Sequence, residues 1–188
     1  SKGERLMAAD TSAFGAEAKP FFGSVRSTVA TAEERMSLGS LPKAVQQIIH
    51  RRGGEVQAEC ARLSQCLKKH TEKYEQAFMT APSPGIIASA MKNEFYPSAD
   101  AYVAALAAAL AVEYEAIVDT GFVLQIDAPD LAMERHFSYQ NQPLGKFISF
   151  IDMVIEAINR ALESVPREMV RLHVCWGNYA GPHHLDVP

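Results

Sequence analysis

Three short apolar runs separated by long helical patterns leave this chain few folds to choose from. The runs are Ala77–Ala81, Phe122–Asp127 and Val170–Cys175, and they start about 45 residues apart. Each reads as a strand and each is closed by a breaker: Pro82-Ser83-Pro84-Gly85 as a loop, Ala128-Pro129-Asp130, and Gly177-Asn178. Strands that alternate with helices pair in parallel through right-handed crossovers, so the expected class is α/β with a parallel sheet.

The helical patterns have their own signals. Glu55–His70 carries Val56, Cys60, Leu63 and Leu67 on one stripe, with Cys66 well around the helix from it. Ile86–Met91 begins a helical turn. Pro97-Ser98-Ala99-Asp100 is a helix start with Ser98 as N-cap, and the helix is predicted to run from Ala99 to Thr120, stopped by Gly121. Leu144–Ser164 is predicted to turn Phe147, Ile151, Val154, Ile155 and Ile158 inward, and Val165-Pro166-Arg167 leads into the last strand. Glu134–Gln142 reads as a long polar loop. Leu41–Arg52 fits either a helix or a strand. Residues 1–40 show no clean periodicity and read as an irregular N-terminal segment.

Composition narrows the function classes. A formal charge of −4 over 188 residues, with no dense Lys/Arg cluster, argues against a nucleic-acid partner. The apolar run Ala104–Val112 is flanked by Asp100 and Glu113 and is too short to span a bilayer, so no membrane association is expected. The three cysteines, Cys60, Cys66 and Cys175, are too few and too unevenly spaced for a disulfide framework, and the sequence shows no sequon or signal peptide. The expected setting is a reducing cytoplasm. The length suits one domain.

Within the last run, Arg171, His173 and Cys175 alternate with Val170, Leu172 and Val174. Side chains two apart on a strand leave the same face, so an imidazole and a thiolate at 173 and 175 are placed to reach one zinc ion. The same pair also fits two ordinary core side chains, because cysteine is among the most buried residue types. The strand's C-terminal end is where sites gather in α/β folds.

Three strand ends together, Ala77–Gly85 (AFMTAPSPG), Gly121–Met133 (GFVLQIDAPDLAM) and Arg171–Pro188 (RLHVCWGNYAGPHHLDVP), resemble the cobalamin-independent methionine synthase family. The resemblance is to its short, single-barrel branch, which includes epoxyalkane:coenzyme M transferase-like proteins, and it covers about Ala77 to Pro188. It implies a (β/α)8 barrel with parallel strands. Eight units of the observed spacing need well over 300 residues, against roughly 250 for a lean barrel, so the 188 residues here are expected to form a partial, incomplete one. The resemblance further implies zinc as cofactor, held by His173 and Cys175, and transfer of a methyl or other alkyl group to a thiol, as in methionine biosynthesis from homocysteine and a methylated folate. The family's third ligand is a cysteine on a later strand, beyond Pro188. The partners implied are a small thiol and an alkyl donor, with a homo-oligomer open.

Asp127 is the expected catalytic and substrate-binding carboxylate, with Gln125 on the same strand face. In the family the matching segment reads Gln-Ile-Asp-Glu-Pro and its carboxylate holds the substrate's amino group; here Ala128 stands in place of the glutamate. Read from the residues alone, Asp127 serves equally as a strand-end cap. Ser83, ahead of a helix, is a candidate for anion binding. His183 and His184 contact substrate, complete a metal shell, or lie in solvent. His136 and Tyr139 either reach over the strand ends or pack within their loop, and Trp176 packs. Two other readings share these residues: a non-catalytic barrel fragment without a complete metal site, and a metal-free lyase of the same superfamily.

Overall fold

A computed structural model describes residues 42–50, 54–69, 74–175 and 182–187. The N-terminal segment 1–40, Trp176 and Gly177-Asn178 lie outside them. In chain order the elements are β1 (Lys43–Ala44), α1 (Glu55–Lys69), β2 (Phe78–Pro82), α2 (Pro84–Ala90), β3 (Lys92–Asn93), α3 (Ala99–Asp119), β4 (Val123–Asp127), α4 (Asp130–Met133), α5 (Leu144–Ala161), a 3-10 turn over Arg167–Met169, and β5 (Val170–His173).

The protein is α/β, and its strands pair in parallel. β2, β4 and β5 form a three-stranded sheet in that order, so each strand lies beside the one before it in the set. β1 and β3 form a separate parallel pair, with Lys43 opposite Lys92. That like-charge pair is bridged by Glu94, whose carboxylate lies 3.0 Å from Lys43 Nζ and 2.8 Å from Lys92 Nζ. The described residues do not close into a barrel.

Period-2 alternation divides the main sheet into two faces. Ala81, Leu124 and Ile126 are buried in one core cluster with Val103, Tyr114 and Ile117 of α3 and Phe147, Val154 and Ile158 of α5. α1 joins this core through Cys60, fully buried with its sulfur 3.2 Å from that of Met79, and through the half-buried Val56, Leu63 and Leu67. The stripe predicted for this helix is therefore the packed one, and Cys66 is exposed. α3 begins as expected, with Ser98 Oγ accepting the Ala101 N–H at 3.1 Å, and ends before Gly121, whose φ of +89° favours glycine. At 21 residues α3 is long and apolar enough to cross a bilayer, whereas the run Ala104–Val112 alone was not. Here it turns Val103, Ala107, Leu110, Tyr114 and Ile117 into the core.

Four expectations require correction. Ile155 is exposed, and the buried stripe of α5 runs through Phe147, Phe150, Val154, Ala157, Ile158 and Ala161; Ile155 lies off its side. Pro82–Gly85 is not a loop: Pro82 ends β2 and Pro84 opens α2, leaving Ser83 alone between them. Proline suits a helix's first turn, where its missing N–H has no intrahelical partner. Of the stretch 41–52, the described residues 42–50 hold the two-residue β1 followed by irregular chain, with neither a helix nor a strand over residues 45–50. Finally, β5 ends at His173, so Cys175 lies beyond the strand. The ladder stops there because β4, its partner, stops: Ala128 N–H donates to the His173 carbonyl at 2.9 Å, and Pro129 then starts α4.

Candidate functional site

The C-terminal ends of β2, β4 and β5 form one edge, and the register fixes which side chains meet there. Pro82 pairs with Asp127, and Asp127 with His173. One step back, Thr80 pairs with Gln125, and Gln125 with Arg171. Register partners share a sheet face, so Thr80, Gln125, Asp127, Arg171 and His173 all lie on the face opposite the helices. Expectation and structure agree that Gln125 and Asp127 share a face, and that Arg171 and His173 do.

On this face a polar chain links two strands. Arg171 Nε donates to Gln125 Oε1 at 2.9 Å, and Gln125 Nε2 donates to Asp127 Oδ1 at 2.7 Å. The Arg171 guanidinium lies over the Phe78 ring, with its central carbon 3.7 Å from the ring centroid. Gln125 thus spans the Arg171 cation and the Asp127 carboxylate, fixing both its amide orientation and one carboxylate oxygen. The bond that Asp127 Oδ1 accepts comes from Gln125, two positions back on its own strand. Gln125 and Asp127 are half-buried, and Arg171 and His173 exposed. Cys175 is half-buried just past His173.

Ser83 sits differently. It is fully buried, its N–H donates to the Asp127 carbonyl at 2.9 Å, and its Oγ accepts the Ile86 N–H at 2.9 Å as the N-cap of α2. Its hydroxyl donates to Asp130 Oδ1 at 2.6 Å. The Ser83 hydroxyl thus caps α2 and ties it to α4, and at 0% exposure the side chain is not open to substrate. Asp130 itself is fully buried, and its Oδ2 has no hydrogen-bond partner among the described residues. Burial raises its pKa to about 6, against the Ser83 hydrogen bond, which lowers it.

A second cluster lies between the segment after β4 and the segment after β5. Residues 134–142 are a run of turns, closed by Tyr139 N–H to the Glu134 carbonyl at 2.9 Å and Gln142 N–H to the Tyr139 carbonyl at 3.1 Å. Arg135 also donates to the Tyr139 carbonyl. Tyr139 stacks near Phe147 and Phe150, with centroids 5.8 and 5.2 Å away, which anchors the turns to α5. So Tyr139 packs onto α5, and His136 is turned inward. His136 is buried, and its Nε2 lies 2.6 Å from Asp186 Oδ1. His183 Nδ1 lies 3.5 Å from the same oxygen, and His184, which is exposed, has its Nδ1 3.3 Å from the Pro182 carbonyl.

Three of these residues were not marked as site residues in the sequence. Arg171 follows from the parity that places His173, one strand position pair away. Asp130 carries no local signal, because Ser83 lies 47 positions away, and the shorter contact of Asp186 is likewise made across 50 residues, to His136. Comparison of the chain with family models, curated proteins and solved structures finds no match.

Proposed function

We propose that this chain is a partial (β/α)8 barrel of the cobalamin-independent methionine synthase type and transfers a methyl or other alkyl group to a small thiol. The observation that carries the reading is the register of Asp127 with His173 at the C-terminal edge of adjacent parallel strands. The strand order β2-β4-β5, with α3 and α5 packed on one face, suits a segment of such a barrel, whose site lies at the C-terminal strand ends where Asp127 and His173 stand.

The donors fit zinc. An imidazole and a thiolate are both preferred zinc ligands, His173 is exposed at a strand end, and Cys175 follows it half-buried. They supply two of the three protein ligands such a site uses. When bound, zinc lowers the pKa of a coordinated thiol so that the attacking sulfur is a thiolate at neutral pH. Asp127 accepts hydrogen bonds from the substrate's ammonium and thereby aims its thiol toward His173. Gln125 holds Asp127 Oδ1, and Arg171, seated on Phe78, holds Gln125. With Ala128 in place of the family's glutamate, the pocket offers one carboxylate fewer to an amino-acid substrate. On this reading the partners are a small thiol and an alkyl donor, and a reducing cytoplasm keeps Cys175 a thiol.

The test is zinc content and thiol alkylation compared between the natural chain and Cys175→Ala. The expected result is one zinc per chain fewer in the variant, together with loss of thiol methylation from a methylated folate or a simple alkyl donor. Equal zinc content in both proteins would sink the assignment of Cys175 as a ligand.

A further inference from the structure

Two segments distant in sequence bring three metal-ligating side chains together. His136 is held by the turns after α4, and its side chain is only 1% exposed. Asp186 Oδ1 faces it at 2.6 Å and faces His183 Nδ1 at 3.5 Å. One ligand atom from each of the three residues lies within 4.8 Å of the other two. The His136 and His183 rings meet edge to face, with centroids 5.3 Å apart. Among the described residues, only these two histidines lie within ion-pair range of Asp186.

We propose that His136, His183 and Asp186 form a binding site for a divalent transition-metal ion of the zinc class, separate in its residues from His173 and Cys175. Tetrahedral coordination with bonds of about 2.0–2.2 Å places ligand atoms ~3.3 Å apart. The 2.6 and 3.5 Å separations from Asp186 lie on either side of that value, and all three ligand atoms are within 4.8 Å of one another, so an ion is seated by small side-chain movements. Two imidazoles and one carboxylate are the donor set of open zinc sites, in which water takes the fourth position. The burial is asymmetric in the way such a site requires. His136 closes the inner side, whereas the His183 and Asp186 side chains are 32% and 33% exposed and leave the outer side to solvent. His184 stands next to this open side, its ring centroid 6.2 Å from that of His136. A bound ion would also fasten residues 183–186 to the turns at 136, cross-linking the chain across 50 residues.

The experiment is a cobalt(II) titration of the full chain after stripping with a chelator, in a His173→Gln/Cys175→Ala background. Removing that pair separates this site from the proposed thiol-alkylation centre. The expected result is one cobalt per chain by elemental analysis, with visible d–d bands and no thiolate-to-cobalt charge-transfer band, and displacement by zinc. Asp186→Asn and His183→Gln, both at partly exposed positions, should each weaken binding by about 100-fold. His136→Gln should do the same if circular dichroism shows it folded. Absence of cobalt binding in the background protein, or an affinity unchanged by Asp186→Asn, would overturn the proposal and leave a metal-free hydrogen-bonded clasp.

Discussion

The Oδ2 atom of Asp130 lies 2.1 Å from where a Cβ would stand at Gly85, and the two methyls of Val154 lie 2.8 and 2.9 Å from the same point. The first turn of α2 is thus pressed against a buried carboxyl group and the centre of α5, and no side chain fits between. Glycine is needed here for closeness of approach, since position 85 has no positive φ.

Gly85→Ala is expected to destabilise the fold by about 3 kcal/mol, the upper part of the usual range for overpacking a tight core. Urea denaturation measures it. Adding Asp130→Ala should return part of the loss but not all, because the Val154 contacts remain. Full additivity of the two changes would show that the Asp130 contact is not the obstacle.

The raised pKa of Asp130 gives stability a definite pH dependence. The folded value of about 6 exceeds the ordinary value of 3.8, so the folded state binds the proton more tightly. Above pH 6 the buried charge costs on the order of 3 kcal/mol, and the cost is relieved as pH falls from about 6 to about 4. Asp130→Asn removes this titration. The difference in unfolding free energy between the natural protein and Asp130→Asn is therefore expected to shift in favour of the natural protein as pH drops through that window. A difference that stays constant between pH 4 and 7 would contradict it.

Tyr114 is fully buried, and its hydroxyl donates to the Pro82 carbonyl at 2.7 Å, joining α3 to the end of β2. Tyr114→Phe keeps the ring and leaves that carbonyl without its donor, at an expected cost of roughly 1–2 kcal/mol. Thermal unfolding by calorimetry reads the change.

Arg171 lies on an exposed strand and contributes little to folding: a surface cation–π contact and a hydrogen bond amount to about 1 kcal/mol. Arg171→Lys is expected to leave the melting temperature almost unchanged, yet to lose the guanidinium over the Phe78 ring and the Nε donor that orients Gln125. If Asp127 orients the thiol substrate, its KM should rise about tenfold, a rough 1.4 kcal/mol. A large drop in melting temperature would instead make Arg171 a structural residue.

Much of this arrangement could be read from the sequence because the signals were local. Strand and helix periods gave strands at Ala77–Ala81 and Phe122–Asp127, within a residue of the observed Phe78–Pro82 and Val123–Asp127, and the stripe of Val56, Cys60, Leu63 and Leu67. Period-2 parity put Gln125 with Asp127 and Arg171 with His173. Errors arose where tertiary partners decide. The length of β5 depends on where β4 ends, and the depth of α5's stripe depends on α3, which is why Cys175 fell off the strand and Ile155 came to the surface. Ser83 looked like a ligand-facing residue in the sequence, and only the buried Asp130 behind it, 47 positions later, gives it a different task. The His136–Asp186 contact was out of reach for the same reason.

The order β2-β4-β5 also bears on how the chain acquires its structure. Each pairing joins strands about 45 residues apart, and the segment between them contains the helix that will cover the new pair. Among the described residues, no strand of this sheet has to insert between two that are already paired. The sheet can therefore grow by accretion at one edge, in the direction of synthesis, with each loop closed before the next is attempted. Refolding from denaturant offers no such sequence of events, and its rate should carry the full entropic cost of these non-local contacts.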